Sequence, residues 1–598
     1  MAPFTIKDEP VENLRRLKVR VIGAGYSGIY LGIRIPQRLR NIDLQIYEKN
    51  EGIGGTWYEN RYPGCACDIP SHSYQYSFNP NPSWSSLYAP APEICAYLEK
   101  TAEKFGANRF IKLSHKVLSG RWDDRQKKWI IEVENLKTGE KFEDDANVLI
   151  CARGNFNTPS YPDIPGLDTF KGEVMHSAKW NQESVVTFIL MSHSVSLHLP
   201  SYDFKNKRVG VIGGGSSAIQ IVPKLQKIEG IHLSAFVRSK TWVSNTFGDA
   251  AMIEMGFDPA IPEFTPEQIK KFETDPDALY KFRKTIEVAG NMVHGVTILN
   301  SDLQAGAVKA FRNLMSARLA NKPNIAKALI PSFAVGCRRL TPGPGYLEAL
   351  VSDNVDFISD PITHISPTSI HITPSSPSTP ASIPLDALIL ATGFLTSHIP
   401  PIPFYGLSSL PLSTHFSPHP QTYLSLATSS FPNYFIMLGP NSSIGSGSLT
   451  AILEAEGDYI VKCIRKLQRE DYASMVPKHA RVEDFTQYCA RYFEGTVYGA
   501  ECRSWYKGNA TTGKVTGLWP GSTPHALETL RSPRWEDWEW EPRGGGEANI
   551  LGWLGNGWSA TQLGEGDSAW YLEKEFVDVP VEEEPERDRK AGLRPWCY

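Results

Sequence analysis

Two short glycine-rich stretches carry the first chemistry legible in this sequence. Gly23-Ala24-Gly25-Tyr26-Ser27-Gly28 follows at once on the apolar run Lys18-Val19-Arg20-Val21-Ile22, and an apolar stretch begins at Ile29. In a strand–turn–helix unit of this kind Gly23 permits the tight turn, and Gly25 lets the backbone approach a pyrophosphate. Gly28 lets the helix pack closely on the strand, and the helix N-terminus supplies unpaired N–H groups and the positive end of its dipole. A second strand over residues 43–47 ends in Glu48, 20 residues past Gly28, where a carboxylate accepts hydrogen bonds from ribose hydroxyls. This first site therefore predicts FAD or NAD. The pattern returns at Gly213-Gly214-Gly215-Ser216-Ser217-Ala218, after the strand-like run 208–212. Here Arg238 and Lys240 stand where the acidic residue would be, and cations at that place suit the 2′-phosphate of NADP. Two dinucleotide sites in one chain predict a flavoprotein that takes hydride from NADPH.

The elements that must position these turns are also legible. The apolar runs 148–154 and 386–393 each end in a small-residue turn, and read as the strands on which the chain leaves and re-enters the flavin domain. The predicted fold class is α/β, with two Rossmann-like dinucleotide-binding domains and a helical insert in the second. The first part of the FAD domain is assigned to residues 1–160 and the NADP domain to 161–384. Apolar spacing over about 245–332 predicts the insert, placed over the active site. The FAD domain resumes over 385–540, and 541–598 form a C-terminal extension. Residues 366–384, rich in Ser, Thr and Pro, read as a low-complexity loop with little capacity to pack.

Composition removes other function classes. In 598 residues, 61 Lys and Arg nearly balance 65 Asp and Glu, leaving a charge of -4. There is no basic excess to bind nucleic acid. The 41% hydrophobic content is ample for a packed core. The N-terminus has no apolar segment like a signal peptide, and the longest uncharged stretch, 185–202, is too short and polar to span a bilayer, so a cytoplasmic protein is expected. The nine cysteines are scattered and suggest no disulfide framework; the one close pair, Cys65 and Cys67, has no zinc-spaced companion, so no metal is expected. Nothing speaks to oligomeric state. Of the 15 tryptophans, Trp535, Trp538, Trp540, Trp553, Trp558 and Trp570 are expected to pin the C-terminal extension to the flavin domain.

Between the glycine turns stand more specific signals. Gly54-Gly55-Thr56-Trp57 is followed by Tyr62-Pro63-Gly64 and Asp68; Phe170 and Gly172 are followed by His176 and Trp180. These match every fixed position of (A/G)GxWxxxx(F/Y)P(G/M)xxxD and FxGxxxHxxxW, and the chain resembles the Baeyer–Villiger monooxygenases, class B flavin monooxygenases that carry both. The resemblance runs through Arg338-Arg339, Thr341 to Tyr346, Gly439-Pro440-Asn441-Ser442 and Ser504 to Asn509, covering most of residues 18–520. Cys151 to Asn155 and Trp535 to Trp540 resemble its fungal branch, typified by the versicolorone-type oxygenases of aflatoxin biosynthesis.

The resemblance implies a reaction in which NADPH reduces FAD, O₂ gives a C4a-peroxyflavin, and this converts a ketone to an ester or lactone, here in fungal secondary metabolism. Arg339 then matches the catalytic arginine, whose permanent charge stabilises developing anions, and Asp68 the carboxylate that orients it. Thr56 and Trp57 border the flavin; Arg338, where the family often has Lys, is a cofactor-binding residue, and Trp505 lies on the nicotinamide side, on a mobile loop. His176 and Trp180 resemble linker residues that couple nucleotide binding to domain movement. The alternatives are an N- or S-oxygenating flavin monooxygenase and an uncoupled NADPH oxidase. Three departures from the family pattern stand out: Leu340 where Pro is usual, Arg153 where Thr is usual, and an extra segment, 185–201. Its removal would join 181–184 naturally to Tyr202, so it reads as an inserted loop or a translated intron.

Overall fold

The Leu17–Ile22 strand is buried along most of its length without inside–outside alternation, as expected of a parallel sheet covered on both faces. The structure is a computed structural model that describes residues 5–11, 14–180, 186–190, 193–197, 202–244, 247–376, 380–396, 399–544, 549–574 and 576–577. In it this strand is the middle of a five-stranded parallel sheet ordered Tyr434–Ile436, Val148–Cys151, Leu17–Ile22, Ile42–Tyr47, Ile111–Lys112. A second five-stranded parallel sheet has the same plan: Val355–Ile358, His232–Phe236, Arg208–Ile212, Ala387–Leu390, Glu173–His176. In each, the glycine-turn strand is central, with the crossover strand on one side and the returning strand on the other. The first sheet takes the edge strand Tyr434–Ile436 from beyond the second, so the chain leaves the first fold and comes back. The two crossings run side by side: Ser160 N–H donates to the Gly393 carbonyl and Leu395 N–H to that of Thr158, both at 2.9 Å.

The segment between Ser244 and Cys337 is helical, with helices Asp249–Glu254, Pro266–Thr274, Pro276–Met292, Asp302–Arg318 and Pro323–Leu329. It is divided between two cores. Met252, Phe264, Phe272, Phe282 and Ile286 pack into the core of the first fold, whereas Met315, Leu319, Ile325 and Leu329 pack into that of the second. The insert thus braces the two folds against each other.

The described parts of 366–384, residues 366–376 and 380–384, pack more than their composition suggests. Ser369–Ile372 pairs with both Ile362–Ser366 and Ser382–Pro384, and Ile365, Ile370, Ile372 and Ile383 are buried on one face. Scattered isoleucines at strand spacing outweigh the Ser and Pro content. Within the extra segment, Val186–Leu190 and His193–Leu197 form an antiparallel hairpin; 181–185, 191–192 and 198–201 lie outside the described residues. Of the C-terminal tryptophans, Trp538 is buried in a strand paired with Tyr472–Pro477. The Lys466 ammonium lies 5.2 and 5.1 Å from the Trp535 and Trp540 rings, and Arg469 stacks on Trp553. Trp558 and Trp570 remain 52% and 45% exposed; the Trp558 carbonyl accepts the Val11 N–H at 2.9 Å, and the Trp570 ring meets Tyr571 and Phe576 of the extension itself. No described helix is long and apolar enough to cross a membrane.

Candidate active site

Each glycine turn is closed by the strand returning beside it. Gly23 has φ +103°, and a Cβ there would lie 2.7 Å from the Ala152 carbonyl oxygen; Gly213 has φ +138°, and a Cβ there would lie 2.2 Å from that of Ala391. Ala152 and Ala391 follow the two return strands, so both turns face a small-residue neighbour. Gly25 and Gly215 precede the helices Tyr26–Arg38 and Ser216–Leu225, and neither helix start carries a side-chain cap. Gly28 and Ala218 serve packing rather than lining: a Cβ on Gly28 would lie 1.9 Å from the Gly23 carbonyl oxygen, and Ala218 is fully buried. One cavity of about 1620 Å³ runs past both turns, taking in Gly23, Gly25, Glu48, Thr56, Gly213, Gly215, Ser216 and Ser217. Ordinary small-molecule pockets hold about 300–1,000 Å³. The residues present fit two dinucleotides, with a helix N-terminus for each pyrophosphate.

Glu48 lines this cavity although it is 4% exposed. Its Oε2 accepts the Ala24 N–H at 2.7 Å and its Oε1 the Asn50 N–H at 2.9 Å. Burial raises its pKa against the effect of those two bonds. Each carboxylate oxygen retains a lone pair, so the residue clamps the glycine turn and can still take a ribose hydroxyl. Trp57, on the short helix Thr56–Glu59, donates its indole N–H to the Tyr74 hydroxyl at 3.2 Å. The two rings meet edge-on at 5.4 Å, which fixes the indole at the cavity wall.

The segment before Asp68 docks on the second fold. The Tyr62 hydroxyl donates to Gln220 Oε1 at 2.8 Å, Gln220 Nε2 donates to the Ala66 carbonyl at 2.9 Å, and Gly64 lies against the Gln220 backbone. Asp68 is thereby placed opposite Arg339, which enters from the segment before the two-residue strand Thr341–Pro342. Arg339 Nε donates to Asp68 Oδ2 at 2.8 Å and Nη2 to Oδ1 at 2.6 Å. Burial disfavours the charge of Arg339, but Asp68 more than offsets this and its pKa is raised. The guanidinium retains donors beyond the two used by Asp68, and both residues line the cavity with Trp57 and Trp505. The buried Tyr506 hydroxyl is pushed up to about 12 by burial, with Arg339 acting the other way, so it stays neutral beside the cation. Leu340 packs on the second fold's core and leaves the arginine in place.

The family described as "NAD(P)-binding Rossmann-like domain" matches residues 21–91. An FAD-binding monooxygenase of Aspergillus terreus, tazF, is 35% identical over 564 residues, 93% of this chain and 95% of its own length. A Baeyer-Villiger monooxygenase of Pseudomonas aeruginosa is 30% identical over 513 residues, 85% of this chain and 88% of its own. The chain belongs to the Baeyer–Villiger monooxygenase family. The crystal structure of cyclohexanone monooxygenase from Rhodococcus sp. Phi1 bound to NADP+ shares the fold, with TM-score 0.72 at 24% identity over 89% of this chain and 100% of that one.

Within this Baeyer–Villiger monooxygenase the cations expected at the second dinucleotide divide. Arg238 lines the cavity with Ser239 and Thr241, but Lys240 does not: its ammonium donates to the Lys327 carbonyl at 3.1 Å. Both cations lie beyond the end of the His232–Phe236 strand, where the period of two that would put residues 238 and 240 on one face no longer holds. Arg338 lies in the cavity instead, with Nη1 donating to the Lys240 carbonyl at 3.0 Å and its guanidinium over Phe333 at 5.3 Å. Burial and the nearby charge of Arg503 lower the Arg338 pKa, an arrangement that an anionic phosphate would relieve. Trp505 lines the cavity, edge-on to Phe156 at 5.3 Å. His176 and Trp180 are absent from its lining. His176 is buried at the paired crossings, its Nδ1 accepting the Ala178 N–H at 3.0 Å, and its pKa is lowered by burial. Among the described residues, none of 247–332 lines the cofactor cavity, so this part of the insert supports that cavity from outside.

Three groups escaped sequence reasoning. Tyr74 and Tyr506 frame Arg339; Tyr506 stands inside the Ser504-to-Asn509 match, beside the more conspicuous Trp505. Glu456, 1% exposed, accepts the Leu438 N–H at 2.8 Å, and burial pushes its carboxyl up to about 8. Cys337 and Cys502, expected to be unpaired, are joined in a disulfide across 165 residues. Their spacing gave no signal, because only the folding of the insert brings them together.

Proposed function

We propose that this chain is an FAD-dependent Baeyer–Villiger monooxygenase that converts a ketone, O₂, NADPH and a proton into an ester or lactone, NADP⁺ and water. The observation that carries the reading is the Arg339–Asp68 pair inside a cavity shared by both glycine turns. FAD, when bound, supplies the hydride acceptor and the activation of O₂. Gly23 and Gly25 admit its pyrophosphate to the Tyr26–Arg38 helix end, Glu48 takes its ribose, and Thr56 and Trp57 border its ring. Gly213, Gly215, Ser216 and Ser217 receive the NADPH pyrophosphate, with Arg238 and Arg338 at its 2′-phosphate and Trp505 at the nicotinamide side. Arg339 stabilises the negative charge that develops on the ketone oxygen, which a preorganised donor does most effectively where water is excluded. Asp68 fixes the direction of the guanidinium fork, and Tyr74 and Tyr506 close its surroundings. The test is product analysis: purified holoenzyme with NADPH and a ketone panel yields an ester or lactone, whereas N- or S-oxides alone would overturn the reading.

The ketone is read as a bulky one made in fungal secondary metabolism, and the enzyme as cytoplasmic. Support for the substrate class comes from the relatives of Aspergillus terreus and Dothistroma septosporum, which align over 88–93% of this chain. Incubation with polyketide- and terpenoid-derived ketones beside simple cyclic ketones checks this; a preference for the simple ones would contradict it.

A further inference from the structure

The Cys337–Cys502 bond joins two segments that both carry cavity residues. Cys337 directly precedes Arg338 and Arg339, and Cys502 directly precedes Arg503, Ser504 and Trp505. On its own side each segment is held locally. Gln304 grips Val335, donating to its carbonyl at 2.9 Å and accepting its N–H at 3.2 Å. The 500–511 loop closes on itself: Ser504 N–H donates to the Ala510 carbonyl at 3.2 Å, Arg503 Nε to that of Asn509 at 3.0 Å, and the Lys507 ammonium to that of Thr511 at 2.9 Å. The disulfide is the covalent link between these two units.

Its setting is electropositive. Arg338 and Arg503 directly follow the two cysteines in sequence, the charge of Arg503 acts on Arg338, and Lys507 lies near Arg338 as well, against the single carboxylate Glu501 before Cys502. Cationic surroundings favour thiolate, the form that attacks peroxides and disulfides. Both sulfur-bearing residues are buried, Cys337 at 0% and Cys502 at 3% exposed, so exchange needs the 500–511 loop to lift. Opening the bond would also leave the segments that carry Arg338 and Arg503 without their covalent tie, and the repulsion between these two cations then favours separation.

We propose that Cys337 and Cys502 form a thiol–disulfide exchange site, reduced by small monothiols and oxidised by hydrogen peroxide, whose oxidised form locks the Trp505 loop onto the Arg338–Arg339 segment. In oxidation the two thiols give two electrons and two protons to one hydrogen peroxide, forming the S–S bond and two waters. In reduction one monothiolate attacks a sulfur to give a mixed disulfide. A second monothiol then releases the protein thiolate, leaving two protein thiols and one oxidised monothiol dimer. The locked form retains NADP⁺ longer, because Trp505, Arg338 and Arg503 cannot part. That consequence rests on the reading of the cavity given above; the bond itself does not.

The test uses the full-length FAD-loaded protein treated with hydrogen peroxide or with glutathione. Peptide mapping without reductant should find the 337 and 502 peptides linked after peroxide and separate after glutathione. Stopped-flow displacement of NADP⁺ should be slower in the oxidised protein by at least about fivefold, the low end of ordinary coupling between sites. Cys502→Ser should release NADP⁺ at the reduced rate under both treatments, and Cys337→Ser should agree if it folds. Peptides that stay separate after peroxide, or equal release rates in linked and unlinked wild type, would overturn the proposal. Absence of NADP⁺ binding in both forms would instead count against the cofactor reading. Tryptic cleavage after Arg503 or Lys507 then decides the lock, which requires slower cleavage in the linked form and is refuted by equal cleavage.

Discussion

Asp68 holds the Arg339 guanidinium by two near-parallel hydrogen bonds, at 2.8 and 2.6 Å, across 271 residues of sequence. The pair spans the junction of the two dinucleotide folds, so the direction of the cation depends on their docking. A permanently charged fork needs no proton from its neighbour to work; it needs aim.

Replacing Asp68 therefore costs aim rather than charge. Asp68→Ala is expected to lower ketone oxygenation about 10²-fold, the scale of a misplacement near 1 Å, while NADPH oxidation continues and yields hydrogen peroxide. Asp68→Asn, which keeps one acceptor, should fall between. Parallel assays of ester, peroxide and NADPH consumption check this; an equal loss of all three would refute it.

The two glycine turns should fail separately. Alanine at Gly213 would place a Cβ 2.2 Å from the Ala391 carbonyl oxygen in a backbone with φ +138°, a strain of about 1–3 kcal/mol. Gly213→Ala should lose NADPH binding and keep its yellow flavin. Gly23→Ala should do the reverse, losing FAD. Flavin absorbance after gel filtration and NADP⁺ titration distinguish the two outcomes.

The cations around the second turn should be unequal. Arg338→Ala and Arg238→Ala should each raise the NADPH KM by about 10- to 100-fold, from charge-assisted hydrogen bonds of about 1.5–3 kcal/mol, and should narrow the preference over NADH. Lys240→Ala, whose ammonium serves the Lys327 carbonyl, should change KM little. Steady-state kinetics with both nucleotides measure it.

Glu456 sets a pH-dependent stability. Its carboxyl is raised from 4.5 to about 8 by burial, opposed by the Leu438 N–H, so the folded protein keeps a proton that the unfolded chain has lost. Stability from this group is full below about pH 4.5 and falls as pH rises to about 8. Glu456→Gln keeps an acceptor for Leu438 and removes the ionisation. Its thermal stability should equal wild type near pH 5 and exceed it increasingly toward pH 8; a constant difference would contradict the assignment.

How much of this was visible beforehand depends on range. The glycine turns, their strands and the fingerprints are local, and the residues that form them are contiguous, so Gly23, Gly25, Gly213 and Gly215 could be placed from spacing alone. Arg339 and Asp68 needed the resemblance, since nothing in either neighbourhood shows that they meet. Lys240 went astray because the side on which a strand-end residue projects is set by packing against Lys327, outside the local pattern. The Cys337–Cys502 bond and the burial of Glu456 arise only from tertiary packing. The strands Ser369–Ile372 and Ser382–Pro384 show the opposite error, where composition hid a periodic set of isoleucines.

The most direct measurement is the product ratio of Arg339→Ala. The purified variant should bind FAD and oxidise NADPH, yet form ester at least about 10²-fold more slowly than wild type, the loss expected for one oxyanion-stabilising donor. Ester formation at the wild-type rate in a flavin-loaded Arg339→Ala protein would contradict the account.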